Sequence, residues 1–290
     1  MYCTMQVASN DNYKRLKTEK HTVPLSNSIA LEVYSNTKPH NLKIANLQKG
    51  LILVHNGKER VGEGTGFGFP ILIYPKETFF SGSSKVSVAQ TTESIKIRKE
   101  FNMDRAARNK LGNVYLENQK ARAFIRYLTD LYQKNRHFRF LSLKEFFVKM
   151  GVESTFVKTT AVSKVAVTYD INNRFINIQV DFHHLQKVRP KKVFILNEQS
   201  AKFFRKYSDA RHTSLVDKRI GAWDGVSPEW ACLTNMQGQV GYRLWKVNGS
   251  VLRRGREIMN NCLDWAGLDY EVNPDCENFE YKIEILGSNC

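Results

Sequence analysis

Two acids and two indoles crowd into residues 220–233, "IGAWDGVSPEWACL", where Trp223, Asp224, Glu229 and Trp230 surround a Gly-Val-Ser-Pro turn. Such a grouping suits a sugar. Indole faces cover the C–H faces of a pyranose ring, and carboxylates accept hydroxyl protons or act as acid and base. A turn pinned by core tryptophans would use the same residues. A third acid, Glu63, lies in "RVGEGTGFGFPILIYP", residues 60–75, which carries glycine at every second position from Gly62 to Gly68. The candidate catalytic carboxylates are therefore Glu63, Asp224 and Glu229. The candidate ligand contacts are Thr65, Phe67, Trp223, Trp230 and His183.

The glycines do not form a nucleotide loop. A G-x-G-x-x-G frame that starts at Gly62 needs glycine where Phe67 stands, and one that starts at Gly64 needs it where Phe69 stands. No Gly-Lys-Ser/Thr follows, and no helical pattern offers an N-terminus to a phosphate. Read as a strand, period two puts four glycines on one face and Glu63, Thr65, Phe67 and Phe69 on the other. A bare glycine face marks a bulge, a bend, or the close approach of another backbone or a ligand.

Metal and cofactor chemistry find little support. His183 and His184 are neighbours on a strand, so they point to opposite faces and cannot chelate together. The five cysteines, Cys3, Cys232, Cys262, Cys276 and Cys290, are odd in number, widely spaced and free of any C-x-x-C pair. That spacing favours buried free thiols over a disulfide framework or a zinc site. Nothing in the sequence calls for a cofactor.

The elements that must position these residues are mainly strands. Residues 1–25 are polar and aperiodic and are expected to form a loose tail. From Ser28 onward, short β-branched and aromatic runs alternate with turn residues: "SIALEVYS", "NLKIANLQ", "GLILVHNGKERVGEG", "FPILIYP", "KVSVAQ" and "ESIKIRKEF". Asn56-Gly57 is a two-residue hairpin signal, since both central positions of a type I′ turn need positive φ. "KVAVTYDINNRFINIQVDF" predicts two strands around Asn172-Asn173, "EWACLTNMQGQVGYRLWKV" a hairpin around Gln237-Gly238, and "NFEYKIEIL" a last strand. Two helical patterns interrupt the series between residues 103 and 151. Ala121, Phe124, Ile125, Leu128, Leu131 and Tyr132 share one stripe, and Ser142 with Glu145 forms a capping box before Gly151. A further short helix is expected from Glu198. The prediction is a mainly β fold: a large antiparallel two-sheet sandwich over residues 26–290, with a helical insertion at 103–151.

The early strands, the "GEGTGFGFPILIY" stretch and the long antiparallel run resemble the galactose-mutarotase-like supersandwich, over residues 28–286, as a pattern of strands. The resemblance implies a two-sheet carbohydrate-binding fold shared by mutarotases and parts of several glycoside hydrolases and polysaccharide lyases. The catalytic histidine and glutamate of that family have no matching motif in this sequence.

Charge adds a second line of expectation. The formal net charge is +16. Residues 96–150 hold 14 Lys/Arg against 5 Asp/Glu, and residues 186–219 hold 10 against 3, whereas 264–284 reverses to seven acids against Lys282. A positive face would attract polyanions, either an acidic carbohydrate or a nucleic acid. The basic runs "KVRPKK" and "LRRGRE", with aromatics nearby in "KFFRKY", are the features a nucleic-acid groove would use. No helix-turn-helix, RNP or zinc-finger pattern accompanies them. A structural or assembly subunit without an active site is the third possibility. No apolar run approaches bilayer length and no secretory h-region opens the chain, so a cytoplasmic location without membrane association is expected.

Overall fold

The structure is a computed structural model, and it describes residues 19–35, 49–75, 77–90, 94–108, 127, 155–159, 163–182, 189–215, 221–259 and 263–287. Apart from Tyr127, which is helical, every regular element among them is a strand. The first seven are β1 (Glu19–Pro24), β2 (Ile29–Ser35), β3 (Ile52–His55), β4 (Lys58–Glu59), β5 (Gly66–Ile73), β6 (Glu77–Phe80) and β7 (Ser83–Gln90). Then come β8 (Ile95–Asn102), β9 (Arg105–Arg108), β10 (Thr155–Lys158), β11 (Lys164–Asn172), β12 (Phe175–Asp181), β13 (Lys192–Gln199) and β14 (Lys206–Asp209). The last seven are β15 (Thr213–Leu215), β16 (Gly221–Gly225), β17 (Trp230–Thr234), β18 (Val240–Trp245), β19 (Ser250–Met259), β20 (Leu263–Val272) and β21 (Asn278–Gly287).

They assemble into three antiparallel sheets. A nine-stranded sheet runs β15-β14-β17-β18-β21-β12-β11-β8-β7, and an eight-stranded sheet runs β10-β9-β6-β5-β13-β20-β19-β16. A small sheet, β1-β2-β3-β4, completes the set. The two large sheets form the expected sandwich. Their inner faces meet through aromatic rings: Phe67 of β5 stands edge-on to Tyr242 of β18 at 5.0 Å, and Phe69 to Phe101 of β8 at 5.6 Å. Edge-on pairs of this kind contribute about 0.5–1.5 kcal/mol beyond the area they bury. The Tyr169 hydroxyl donates to Phe67 O at 2.9 Å and that of Tyr270 to Trp245 O at 2.5 Å, so the buried phenols are also satisfied across the gap.

Alternation decides which face of the nine-stranded sheet meets water. Strand β12 reads half-buried, buried, exposed, buried, exposed, buried, half-buried, and β21 alternates in the same way. One face packs on the core and the other is solvated. Strands β5 and β13 differ: β5 is buried along its whole length, and β13 along all but its first residue.

The glycine stretch corrects the sequence expectation. It is not a continuous strand with one bare face. Residues 62–64 form a turn, and β5 begins only at Gly66. Gly62, Gly66 and Gly68 all have positive φ, which breaks the period-two alternation. A Cβ on Gly66 would lie 2.8 Å from Leu51 O, and one on Gly68 would lie 2.9 Å from the Tyr169 hydroxyl. Close backbone approach, not a ligand platform, is what the glycines allow.

Opposite them, the pairing of β13 with β5 slips between Leu196 and Asn197. The Asn197 side chain serves the irregularity: Oδ1 accepts from Gly68 N at 3.1 Å and from the Tyr281 hydroxyl at 2.7 Å, and Nδ2 donates to Leu268 O at 3.1 Å. Its own N–H donates to Asp269 Oδ1 at 2.6 Å. The groups freed by the bulge are thereby paired.

Fully buried Lys99 ties the small sheet to the sandwich. Its Nζ donates to Tyr34 O at 2.9 Å and also to Lys49 O. Leu51 and Phe67 form a further antiparallel bridge.

Three other expectations change. The loose tail ends earlier, because Glu19–Pro24 pairs with β2 throughout. The strand at 192 continues to Gln199 between β5 and β20, leaving a single turn closed by Phe204 N to Ser200 O at 2.9 Å in place of a helix from Glu198. Residues 105–108, inside the expected helical insertion, are a strand that pairs with β10 in register Arg108↔Thr155. The two helical patterns themselves lie outside the described residues apart from Tyr127, which is helical. Cys232 and Cys276 are free thiols, the first buried; Cys3, Cys262 and Cys290 are outside the described residues.

Candidate functional site

The solvated face of the nine-stranded sheet carries an open groove of about 540 Å³. It is built by register. Lys96, Asp170, Asn177 and Lys282 sit side by side on β8, β11, β12 and β21. Arg98, Thr168, Gln179 and Glu280 form the next row on the same four strands. Trp245 and Val247 close one end. Each position is the outward member of an alternating strand, which is why the rows are polar while the residues between them, Ile97, Tyr169, Ile178 and Tyr281, are buried.

The closed end carries two tryptophans and an arginine. Trp230 and Trp245 face one another across β17 and β18, and both are half-buried. The Arg243 guanidinium lies 4.8 Å from the Trp230 ring and 5.9 Å from the Trp245 ring. Arg243 is held in turn by buried Glu284 at 3.1 Å, whose other oxygen is 3.4 Å from Arg174. The Arg174 guanidinium also lies 5.0 Å from Phe175, and Lys282 Nζ is 3.7 Å from the same ring. Cation–π contacts and a shared carboxylate fix the orientation of these rings before any ligand arrives.

The groove is electrically balanced. Its lining has two lysines, Lys96 and Lys282, and two acids, Asp170 and Glu280. Lys96 and Asp170 are 3.6 Å apart. Amides and a hydroxyl, from Asn177, Gln179 and Thr168, supply both donors and acceptors. Paired amides, mixed charges and an aromatic wall can hold a polyhydroxylated, uncharged molecule.

The residues singled out in the sequence are dispersed. Trp230 belongs to the closed end just described. Trp223 lies on β16, the edge of the other large sheet, and Asp224 on the same strand is exposed and opposite Arg254. Glu229 is exposed in the crossing between the two sheets, where its carbonyl accepts from Lys246 N at 2.8 Å. Glu63 is half-buried in the turn before β5, with its N–H on Asp264 O at 3.0 Å. Half-buried Thr65 gives its carbonyl to Gly50 N at 2.7 Å, and Phe67 is fully buried in the core. His183 lies outside the described residues. The three candidate acids thus stand on three separate elements. Trp245, Asn177, Gln179 and Glu280 were not singled out. Alternation in "FINIQVDF" and "NFEYKIEIL" marks them as outward-facing, but only the strand order makes them neighbours.

The basic runs are partly neutralised within the chain. Arg189 is 3.4 Å from Asp275, Lys192 is 2.9 Å from Glu271, and Arg253 Nε donates to the same Glu271 at 2.7 Å. Burial pushes the Glu271 carboxyl up, but Lys192 and Arg253 outweigh it and hold the group below the ordinary range. The acidic C-terminal strands therefore answer part of the basic excess. No group of three or more His, Cys, Asp or Glu suited to a metal occurs among the described residues, and no helix among them is long and apolar enough to cross a membrane.

No family model matches the chain, and no curated protein matches it either. Solved structures do. The α-N-acetylgalactosaminidase NagBb from Bifidobacterium bifidum, in complex with GalNAc, aligns over 92% of this chain at 9% identity and a TM-score of 0.50. The same enzyme in complex with Gal-NHAc-DNJ aligns over 92% at 10% identity and a TM-score of 0.50. The chain spans about a third of that enzyme, 36% of its length. An α-mannosidase from Enterococcus faecalis aligns over 90% of this chain at 8% identity, with a TM-score of 0.42. At these identities the likeness to NagBb is one of fold: the β-sandwich is shared with part of a glycosidase.

Proposed function

We propose that this β-sandwich binds an uncharged saccharide in the groove on the solvated face of its nine-stranded sheet. The observation that carries the reading is the meeting of two in-register polar rows with the cross-strand pair Trp245 and Trp230. Ring faces need an indole, and hydroxyls need paired donors and acceptors. That the same fold occurs in a sugar-bound glycosidase supports it. The balanced lining favours a neutral sugar over an acidic polymer. Binding is the role the groove itself supports; none of the candidate catalytic acids Glu63, Asp224 and Glu229 lines it.

The test is a glycan array followed by calorimetry on the wild-type protein and Trp245→Ala. Loss of one stacking face is expected to weaken binding about tenfold, equivalent to about 1.4 kcal/mol. The fold should survive, because the Tyr270 hydroxyl bonds to the backbone oxygen of Trp245, which alanine keeps. Asp224→Asn and Glu229→Gln should leave affinity unchanged. An empty array, or a Trp245→Ala protein that binds as wild type, overturns the proposal.

A further inference from the structure

We infer that the ligand is a linear oligosaccharide lying across the strands, and this rests on the saccharide reading above. The groove crosses β8, β11, β12, β21 and β18 in unbroken succession. Each strand contributes one outward residue to the row: Lys96, Asp170, Asn177, Lys282, and then Trp245 at the end. Trp230 on β17 extends the line by one more strand.

Six neighbouring strands are separated by five gaps of about 4.8 Å, so the row runs for about 24 Å. A pyranose ring in an extended chain advances by a comparable distance, so successive rings keep step with successive strands. The row therefore offers four or five successive ring positions, far more than a monosaccharide can use.

The width argues the same way. The second row, Arg98, Thr168, Gln179 and Glu280, is offset by two residues along each strand, about 7 Å. One ring fits between the rows, and two chains side by side do not. Each ring of a single chain would then meet one residue from either row. Among the described residues of the two rows and their extension, Trp245 and Trp230 are the aromatic ones, so that end anchors the chain and the polar strands read its length.

The experiment is calorimetric titration of the intact protein with malto-, cello- and manno-oligosaccharides of one to six units. In a series that binds, Kd should fall steeply up to four or five units and then level off. Lys96→Ala, at the far end of the row from Trp245, should weaken the pentamer about tenfold and leave the dimer unaffected. A monosaccharide that binds as tightly as the pentamer overturns the chain inference but leaves the saccharide reading standing. Equal losses for dimer and pentamer in Lys96→Ala overturn it too. No binding at any length, together with an empty glycan array, overturns both.

Discussion

Gly66→Ala is expected to destabilise the protein by about 3 kcal/mol or more, a large part of the roughly 5–15 kcal/mol typical of folded proteins. Two independent penalties coincide. The residue has φ of +76°, where an L side chain is strained, and the new Cβ would sit 2.8 Å from Leu51 O. That oxygen cannot retreat. It accepts from Phe67 N at 2.7 Å while Leu51 N donates to Phe67 O at 2.9 Å, so moving it breaks the bridge between the small sheet and β5. Two controls separate the terms. Gly57 has φ of +69° but open space around it, so Gly57→Ala should cost only about 1 kcal/mol. Gly225 has open space and no positive φ, and Gly225→Ala should be close to neutral. Urea unfolding of the three variants orders them directly. Equal midpoints for Gly66→Ala and Gly225→Ala would refute the account.

Stability should also pass through a minimum near neutral pH, the reverse of the usual dome. Asp269 is fully buried, and burial pushes its carboxyl up to about 7 against the pull of the Asn197 N–H. Between about 4 and about 7 the folded chain keeps a proton that the unfolded chain has released, so stability falls as pH rises. Lysines act in the opposite sense. Burial lowers Lys99 to about 7, and it lowers Lys49 to about 8 despite nearby Glu63, Glu59, Glu198 and Asp264. From there up to about 10.5 the unfolded chain holds protons that the folded chain lacks, and stability climbs with pH. Each fully displaced group contributes up to about 1.4 kcal/mol per pH unit across its window. Asp209 and Glu271 are held below the ordinary carboxylate range and titrate outside this window.

Thermal melts from pH 4.5 to 9.5 test the profile. Asp269→Asn should flatten the acid limb, since the amide oxygen still accepts the Asn197 N–H, and Lys99→Met should flatten the alkaline limb. A wild-type curve with a maximum at neutral pH counts against the assignment.

What the sequence made legible was local. Asn56-Gly57 adopts φ of +51° and +69°, as its two-residue turn requires, and Asn173 and Gly238 take positive φ at the next two expected hairpins. Alternation in β8, β12 and β21 matches one buried and one wet face. Pairing between distant segments was not legible. β5 joins β13, and β8 joins β11, through contacts that leave no mark in either segment alone. Phe67 illustrates the cost: simple alternation set it on a surface, and the positive φ of its two glycine neighbours turns it into the core. Trp245 illustrates the converse. In "YRLWKV" it looks like any strand residue, and it gains meaning only beside Trp230 and the row that ends at Lys282.

The pairing of β9 with β10 carries a consequence for how this sandwich can be rebuilt. Arg108 and Thr155 face each other in register, so the chain departs and returns at a single doorway. Joining two adjacent antiparallel ends needs only a tight link and little closure entropy. Exchanging residues 109–154 for Asn-Gly, a link that suits this register, is expected to preserve the β-type circular dichroism of the parent. The same register would let a foreign domain be spliced in there while the nine-stranded sheet keeps its pairing.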